Sequence, residues 1–177
     1  LFVEIVIAPS FEEKAVSILQ EKKNLRLLEV GDLRPLNERD FDLRRISGGY
    51  LSQDADTAQV LPDDLEMVTV AHQPTPEQIE DLLFAWKVVK HVKSNAVVLA
   101  KDQATVGIGA GQMSRVDSTE IAARKAGDKA KDSVMASDAF FPFPDSVEEA
   151  AAHGIAAIIQ PGGSIRDQEV VAKANEL

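Results

Sequence analysis

The chain contains no cysteine, which excludes disulfides and any thiolate metal site. Tryptophan and tyrosine occur once each. The single tryptophan, Trp86, falls in helical register with Ile79, Leu82 and Leu83 and is read as core. No apolar run approaches the roughly 20 residues that span a bilayer, and no basic segment followed by an apolar stretch and a cleavage site opens the chain. Basic residues are scarce: 19 Lys and Arg stand against 29 Asp and Glu, a formal net charge of −10. That balance argues against a sequence-independent grip on nucleic acid, which needs clustered cations to displace phosphate counterions. These absences together describe a soluble cytoplasmic protein with neither nucleic acid nor membrane as partner.

What is present is enough apolar material, 45% of 177 residues, for one sizeable core or two small ones. The charge is unevenly spread. Between residues 85 and 115, Lys87, Lys90, Lys93, Lys101 and Arg115 face the single acid Asp102. A local positive field suits a small phosphate or carboxylate ligand; a solvated basic face is the plainer alternative. The first residue is Leu1, already inside a strand pattern, and the chain stops on a helix, which is the pattern of a fragment lacking a last strand.

Residues 1–8 (LFVEIVIA) read as a buried strand. Ser10 with Glu13 makes a capping-box pattern for a helix to about Lys22, and LRLLEV at 25–30 returns as a second, parallel strand. Residues 31–40 lapse into polar loop. Residues 41–46 and 50–53 form a hairpin around Gly48-Gly49, a weak strand covers 66–71, and a domain boundary is placed near Ala71. Thr75-Pro76-Glu77-Gln78 is a strong helix start. Strands at 96–100 and 105–108 flank a turn at Lys101-Asp102. Asp117 with Glu120 is another capping-box pattern opening a helix to Gly127. A strand at 133–137, a helix from Asp145 or Ser146 to Gly154, a buried strand at 155–160 and a helix from Asp167 complete the chain. Strands alternating with helices predict an α/β fold with a mixed, mostly parallel sheet covered on both faces.

The stretch Gly107-Ile108-Gly109-Ala110-Gly111 lies between a strand and a helix, where backbone amides receive anions. It is neither a dinucleotide fingerprint, since Gln112 stands where a third glycine belongs, nor a nucleotide-hydrolase loop. Tight turns and close packing account for such glycines equally well. Pro161-Gly162-Gly163-Ser164 repeats the geometry, and ligands of open sheets sit beyond the strands' carboxyl ends. Residues 137–145 (SDAFFPFPD) concentrate aromatics and prolines. They are either core or a rigid wall for a flat heterocycle, with Asp145 able to accept ring N–H donors. Lys90-His91 ends an amphipathic helix and is read as structural; His72 and His153 are lone, and no metal-ligand spacing occurs.

Four ordered motifs, KSNA at 93–96, GIGAGQMSR at 107–115, SDAFFPF at 137–143 and QPGGSIRD at 160–167, carry a resemblance. The chain resembles the C-terminal part of the AICAR formyltransferase/IMP cyclohydrolase family along essentially its whole length. The resemblance implies two cytidine-deaminase-like repeats, with residues 1–71 the end of the first repeat plus a connecting segment, and 72–177 the second repeat lacking its last strand. The zinc-deaminase signature is absent, so deamination is not implied. It implies formyl transfer from 10-formyltetrahydrofolate, as cosubstrate, to the amine of the AICAR nucleotide, with no catalytic metal and a homodimeric full-length enzyme.

By motif, Asn95 becomes the candidate catalytic residue and, with Arg115 and the Phe140 backbone, a substrate contact. Val116, Pro142, Phe143, Asp145 and Ser164 would line the folate side. The family's Lys-His pair belongs to an upstream segment outside this chain, the cyclohydrolase domain is missing, and Pro144 stands where many family members have arginine. The fragment alone is therefore expected to be inactive. The competing classes are a noncatalytic nucleotide- or anion-binding α/β module built on the two glycine stretches, and an interaction domain.

Overall fold

The computed structural model describes residues 2–32 and 40–177. Leu1 and the loop read at 33–39 lie outside the described residues. The chain forms two compact units, Leu1–Ala58 and Gln59–Leu177, so residues 59–71 belong with the second.

In the first unit, β1 (Ile5–Ala8) pairs in parallel with β2 (Arg26–Glu29), from Ile5↔Arg26 to Ala8↔Glu29, across α1 (Glu13–Leu19). The Ser10 capping box does not form. The Phe11 amide donates to Glu29 Oε1 at 3.0 Å, which holds the chain extended through Glu12, and α1 starts at Glu13 without a side-chain cap. A hairpin follows, β3 (Phe41–Ile46) against β4 (Gly49–Asp54). Gly49 pairs with Ile46, so the turn is Ser47-Gly48, with Gly48 at φ +84 where glycine is favoured. No described residue of this unit is buried, and Ile5, Ile7 and Leu28 are exposed, against the buried strand that the sequence suggests.

The second unit holds the core. Residues 66–71 form no strand: the amides of Val70 and Ala71 donate to the Asn175 side chain, at 2.8 and 3.1 Å, instead of joining a ladder. Helix α2 (Pro76–Val89) opens on the expected box. Thr75 Oγ1 accepts from the Gln78 amide at 3.3 Å, and Gln78 Oε1 accepts from the Thr75 amide at 2.9 Å. Replacing Thr75 by alanine orphans that donor and should cost about 1 kcal/mol in urea unfolding; no change in midpoint would show that tertiary packing alone sets this helix start.

Strands β5 (Val97–Lys101), β6 (Ala104–Gly109), β7 (Val134–Ser137) and β8 (Ala157–Ile159) form one sheet in the order β6-β5-β7-β8. The sheet is mixed but not mostly parallel by pairing. β5 runs antiparallel to both β6 and β7, and only β7–β8 is a parallel ladder. The reason is where the hairpin partner sits: β6, β7 and β8 share one direction, but the opposing strand β5 is inserted between the first two.

Helices α3 (Arg115–Ala126), α4 (Asp145–Ala152) and α5 (Asp167–Glu176) complete the unit. Alternation along β5 sends Val97 and Leu99 to a cluster with Ala122, Met135, Phe141, Val147 and Val170, on the side of α3, α4 and α5. Val98 and Ala100 face the opposite cluster with Leu82, Ala85 and Val89 of α2, where Trp86 packs half-buried. Each fully buried Val or Leu here contributes about 1.5–3 kcal/mol relative to exposure, enough to fix both faces of a central strand.

Candidate functional site

The register sets the site edge. Val97 lies opposite both Gly109 and Ser137, and Ala136 opposite Ile159. The start of β5 therefore shares one end of the sheet with the finishes of β6, β7 and β8, the end from which α3, α4 and α5 depart. Four segments meet there: 93–96, 110–115, 138–145 and 160–167.

The glycines at 107–111 turn out to have different jobs. Gly107 and Gly109 are strand residues under α3: a Cβ on Gly107 would meet the Ala122 carbonyl oxygen at 2.1 Å, and one on Gly109 the Ser118 oxygen at 1.9 Å. They are packing glycines; only Gly111, at φ +67, shapes the turn. The turn's amides are in part already used. Gly111 donates to the Lys93 carbonyl at 2.8 Å, Gln112 to that of Asn95 at 3.4 Å, and Asp117 to Ser114 Oγ at 3.1 Å. Ser114, rather than Asp117, caps α3, which puts Arg115 in the first helical turn.

Asn95 fastens this turn. Its Nδ2 donates to the carbonyls of Gln112 (3.0 Å) and Met113 (3.1 Å), while its own carbonyl accepts from Ser118 Oγ at 2.8 Å. Two carbonyl acceptors fix which way the side-chain amide faces, so Asn95 has Oδ1 left to accept with and no donor left to give. The Ser94–Asn95 peptide bond is cis.

Asp138, one residue beyond β7, joins the segments. Its Oδ1 accepts from the Ala96 amide at 3.0 Å and from Arg115 Nη2 at 3.4 Å, its Oδ2 accepts from the Ser94 hydroxyl, and its amide donates to the Ala96 carbonyl at 3.2 Å. The Asp138 and Arg115 side chains are 12% and 16% exposed, so the ion pair is largely withdrawn from water. Arg115 Nε is buried without a hydrogen-bond partner among the described residues. Sequence reading gave Asp138 no role; the only available signal was an acid closing a short buried strand.

In the aromatic segment Phe141 is core, whereas Phe140 and Phe143 are exposed. The Phe141 amide donates to Gln160 Oε1 at 2.7 Å, tying this segment to the end of β8. Pro142 is exposed, and Pro144 occupies the position before α4 where a capping side chain was expected from Asp145 or Ser146. Asp145 instead folds back, its Oδ1 accepting from the Ser146 amide at 2.7 Å. Across from it the Arg166 guanidinium stands 4.9 Å above the Phe143 ring, a cation–π arrangement. Arg166 Nε donates to both Glu169 carboxylate oxygens, at 2.9 and 3.0 Å. Those bonds hold the Glu169 carboxyl below its ordinary range and raise the Arg166 guanidinium. A carboxyl lowered by folding stabilises the fold above its ordinary range and loses that contribution as pH falls through the lowered value, so acid weakens the seat of Arg166 over Phe143.

The second glycine stretch is closed by its own helix: the Gly163 amide donates to Asp167 Oδ2 at 2.6 Å, and the Arg166 amide to Ser164 Oγ at 3.1 Å. Val116 follows Arg115 and is half-buried. The edge thus ties Asp138 by direct bonds to Arg115 and to Ser94 and Ala96 on either side of Asn95, and Phe143 to the Ser164 loop through Arg166. Lys90 caps the end of α2, and the His91 ring has no hydrogen-bond partner among the described residues. His153 lies 2.9 Å from Glu149 on α4. Among the described residues no group of three or more His, Asp or Glu is placed to hold a metal, and no helix is long and apolar enough to cross a membrane.

Comparison with known proteins reaches the same motifs. Residues 1–125 match the AICARFT/IMPCHase bienzyme family. The chain is 57% identical over 176 residues to the bifunctional purine biosynthesis protein PurH of Oceanobacillus iheyensis, covering 99% of this chain and 34% of that protein. It is 54% identical over 177 residues to PurH of Bacillus subtilis and 57% identical over 180 residues to PurH of Persephonella marina, with the same coverage. The chain thus spans about a third of the length of these relatives. With the family match running through most of the sequence and all four edge segments inside the matched relatives, the chain belongs to the AICARFT/IMPCHase bienzyme family.

Proposed function

We propose that the chain acts in purine (IMP) biosynthesis as part of a bifunctional polypeptide, and that its sheet edge is one wall of the formyl-transfer site. The carrying observation is Asp138, which binds Arg115 and the segment around Asn95 into one frame beside the exposed Phe140 and Phe143. On this reading the AICAR amine attacks the formyl carbon of 10-formyltetrahydrofolate. A new C–N bond forms, the bond to folate N10 breaks, the amine loses a proton to a base outside this chain, and N10 gains one.

This chain's residues bind and orient. Arg115 offers N–H donors to the nucleotide's carboxamide oxygen, and Asn95 Oδ1 accepts from its NH₂ group. Phe143, with Val116, Pro142 and Ser164 beside it, flanks the flat folate ring, and Asp145 accepts from its N–H donors. The amine is a poor nucleophile, so holding it against the formyl carbon supplies much of the barrier reduction. We assign residues 1–71 to the end of a first cytidine-deaminase-like repeat plus a connecting segment, residues 72–177 to a second repeat lacking its last strand, and the full-length enzyme to a cytoplasmic homodimer. The noncatalytic anion-binding alternative is disfavoured, because amides of the first glycine turn are spent on Lys93 and Asn95.

The test is direct. The full-length polypeptide, given AICAR and 10-formyltetrahydrofolate, should yield tetrahydrofolate together with formylated AICAR or IMP, its cyclised product, whereas residues 1–177 alone should yield none of these. Product from the isolated 177 residues would contradict the shared-site reading, and none from the full-length polypeptide would overturn the assigned reaction.

A further inference from the structure

We propose that Asp138 is the positioning residue for the nucleotide side of the site, acting through Arg115 and the Ser94–Ala96 segment; the proposal rests on the formyl-transfer reading above. Three donors from two separate segments converge on its carboxylate: the Ser94 hydroxyl, the Ala96 amide and Arg115 Nη2. Its own amide returns a bond to the Ala96 carbonyl, so the β5–β7 pairing continues one step past Val97↔Ser137 and fixes where Asn95 leaves the sheet.

A carboxylate at 12% exposure needs compensation, and Arg115 supplies it with one of its five N–H groups. The guanidinium's buried Nε has no partner among the described residues. Asp138 therefore holds a charge-balanced donor array beside the one free acceptor of Asn95. That pairing of donors with an acceptor fits a planar carboxamide, which offers a carbonyl oxygen and an NH₂ group side by side. An arginine without its acid would keep the charge and lose the placement.

The experiment uses the full-length polypeptide with Asp138→Asn, Asp138→Ala and Ser94→Ala. It reads kcat, KM for AICAR, KM for 10-formyltetrahydrofolate, melting temperature, and the rate of phenylglyoxal modification at Arg115 resolved by peptide mass spectrometry. Asn keeps an acceptor for the Ala96 amide, removes the charge that Arg115 needs, and puts an NH₂ group where Oδ2 accepts from the Ser94 hydroxyl. We expect Asp138→Asn to raise KM for AICAR about tenfold or more, the scale of one charge-assisted bond, and to hold the folate KM within about twofold. Arg115 should be modified faster, with the melting temperature nearly unchanged. Asp138→Ala should exceed it on every nucleotide measure, and Ser94→Ala, which touches only Oδ2, should fall between it and the parent. Equal rises in both KM values in step with lost melting temperature would reduce Asp138 to a structural residue. Unchanged KM values with an unchanged Arg115 rate would also overturn the proposal. If the parent polypeptide neither binds AICAR nor transfers formyl, the reaction assignment fails, and the Arg115 rate alone then decides whether Asp138 positions the guanidinium.

Discussion

Gly109→Ala should unfold the second unit or leave it barely stable. The added methyl would lie 1.9 Å from the Ser118 carbonyl oxygen and 2.7 Å from its carbonyl carbon. Those are backbone atoms of α3, so no rotamer change relieves the clash; the helix itself must lift from β6. Gly107 sits two residues earlier on the same strand face and meets the Ala122 oxygen at 2.1 Å. The helix answers with Ser118, Ala122 and Ala126, small residues four apart that present one close-packing stripe. Overpacking a well-filled core costs about 1–3 kcal/mol when side chains can shift. Here the cost should exceed that range, against a total stability of about 5–15 kcal/mol for a domain of this kind. Gly111→Ala is the contrast: nothing lies within 4 Å of a Cβ there, and only the left-handed backbone resists, at roughly 1–2 kcal/mol. Urea unfolding of the three variants should rank Gly109 and Gly107 well above Gly111, and a Gly109→Ala protein within about 1 kcal/mol of the parent would contradict the close approach of α3 to β6.

Arg115→Ala in the full-length polypeptide should lower kcat/KM for formyl transfer by at least about thirtyfold. Removing one partner of a desolvated charge pair costs about 2–5 kcal/mol, and each 1.4 kcal/mol is tenfold. Two losses combine: the donors facing the nucleotide vanish, and Asp138 keeps its largely buried charge without its partner. Arg115→Lys should recover little, because a lysine ammonium cannot satisfy Asp138 and present a planar donor fork together. The fall should appear chiefly in the AICAR terms of steady-state kinetics. A variant with kinetics within a fewfold of the parent would remove Arg115 from the site.

How much of this was legible in the sequence depended on the range of the interaction. The Thr75-Gln78 box is local, and its residues specify it without outside help; the hairpin expected around Lys101-Asp102 forms with Asp102-Gln103 as its turn, and Asp81 of α2 accepts from both turn amides. Capping patterns failed for two reasons: a longer contact draws Phe11 to Glu29, and a local competitor, Ser114, captures the start of α3 ahead of Asp117. The glycines at 107 and 109 announced an unusual backbone but not its cause. Alternation in a strand and a loop of anion-binding amides look alike as spacing, and only the position of α3 separates them. The mostly parallel sheet was misjudged for a similar reason, since a sequence reveals that β5 and β6 form a hairpin but not that β7 adds on the far side of β5. Asp138 was invisible because its partners Ser94 and Ala96 lie more than 40 residues away. In the first unit the one strand that reads as buried, LFVEIVIA, has Ile5 and Ile7 exposed, because hydrophobicity marks a preference and not the presence of a covering layer.

The most direct measurement of the central claim is hydrogen–deuterium exchange of the full-length polypeptide, free and saturated with AICAR, read by peptide mass spectrometry. One wall of the nucleotide site at this sheet edge predicts slowed exchange in peptides covering residues 93–96, 110–116 and 138–141, with β3 and β4 unchanged. Protection confined to other parts of the polypeptide, with these three segments exchanging as in the free protein, would contradict it.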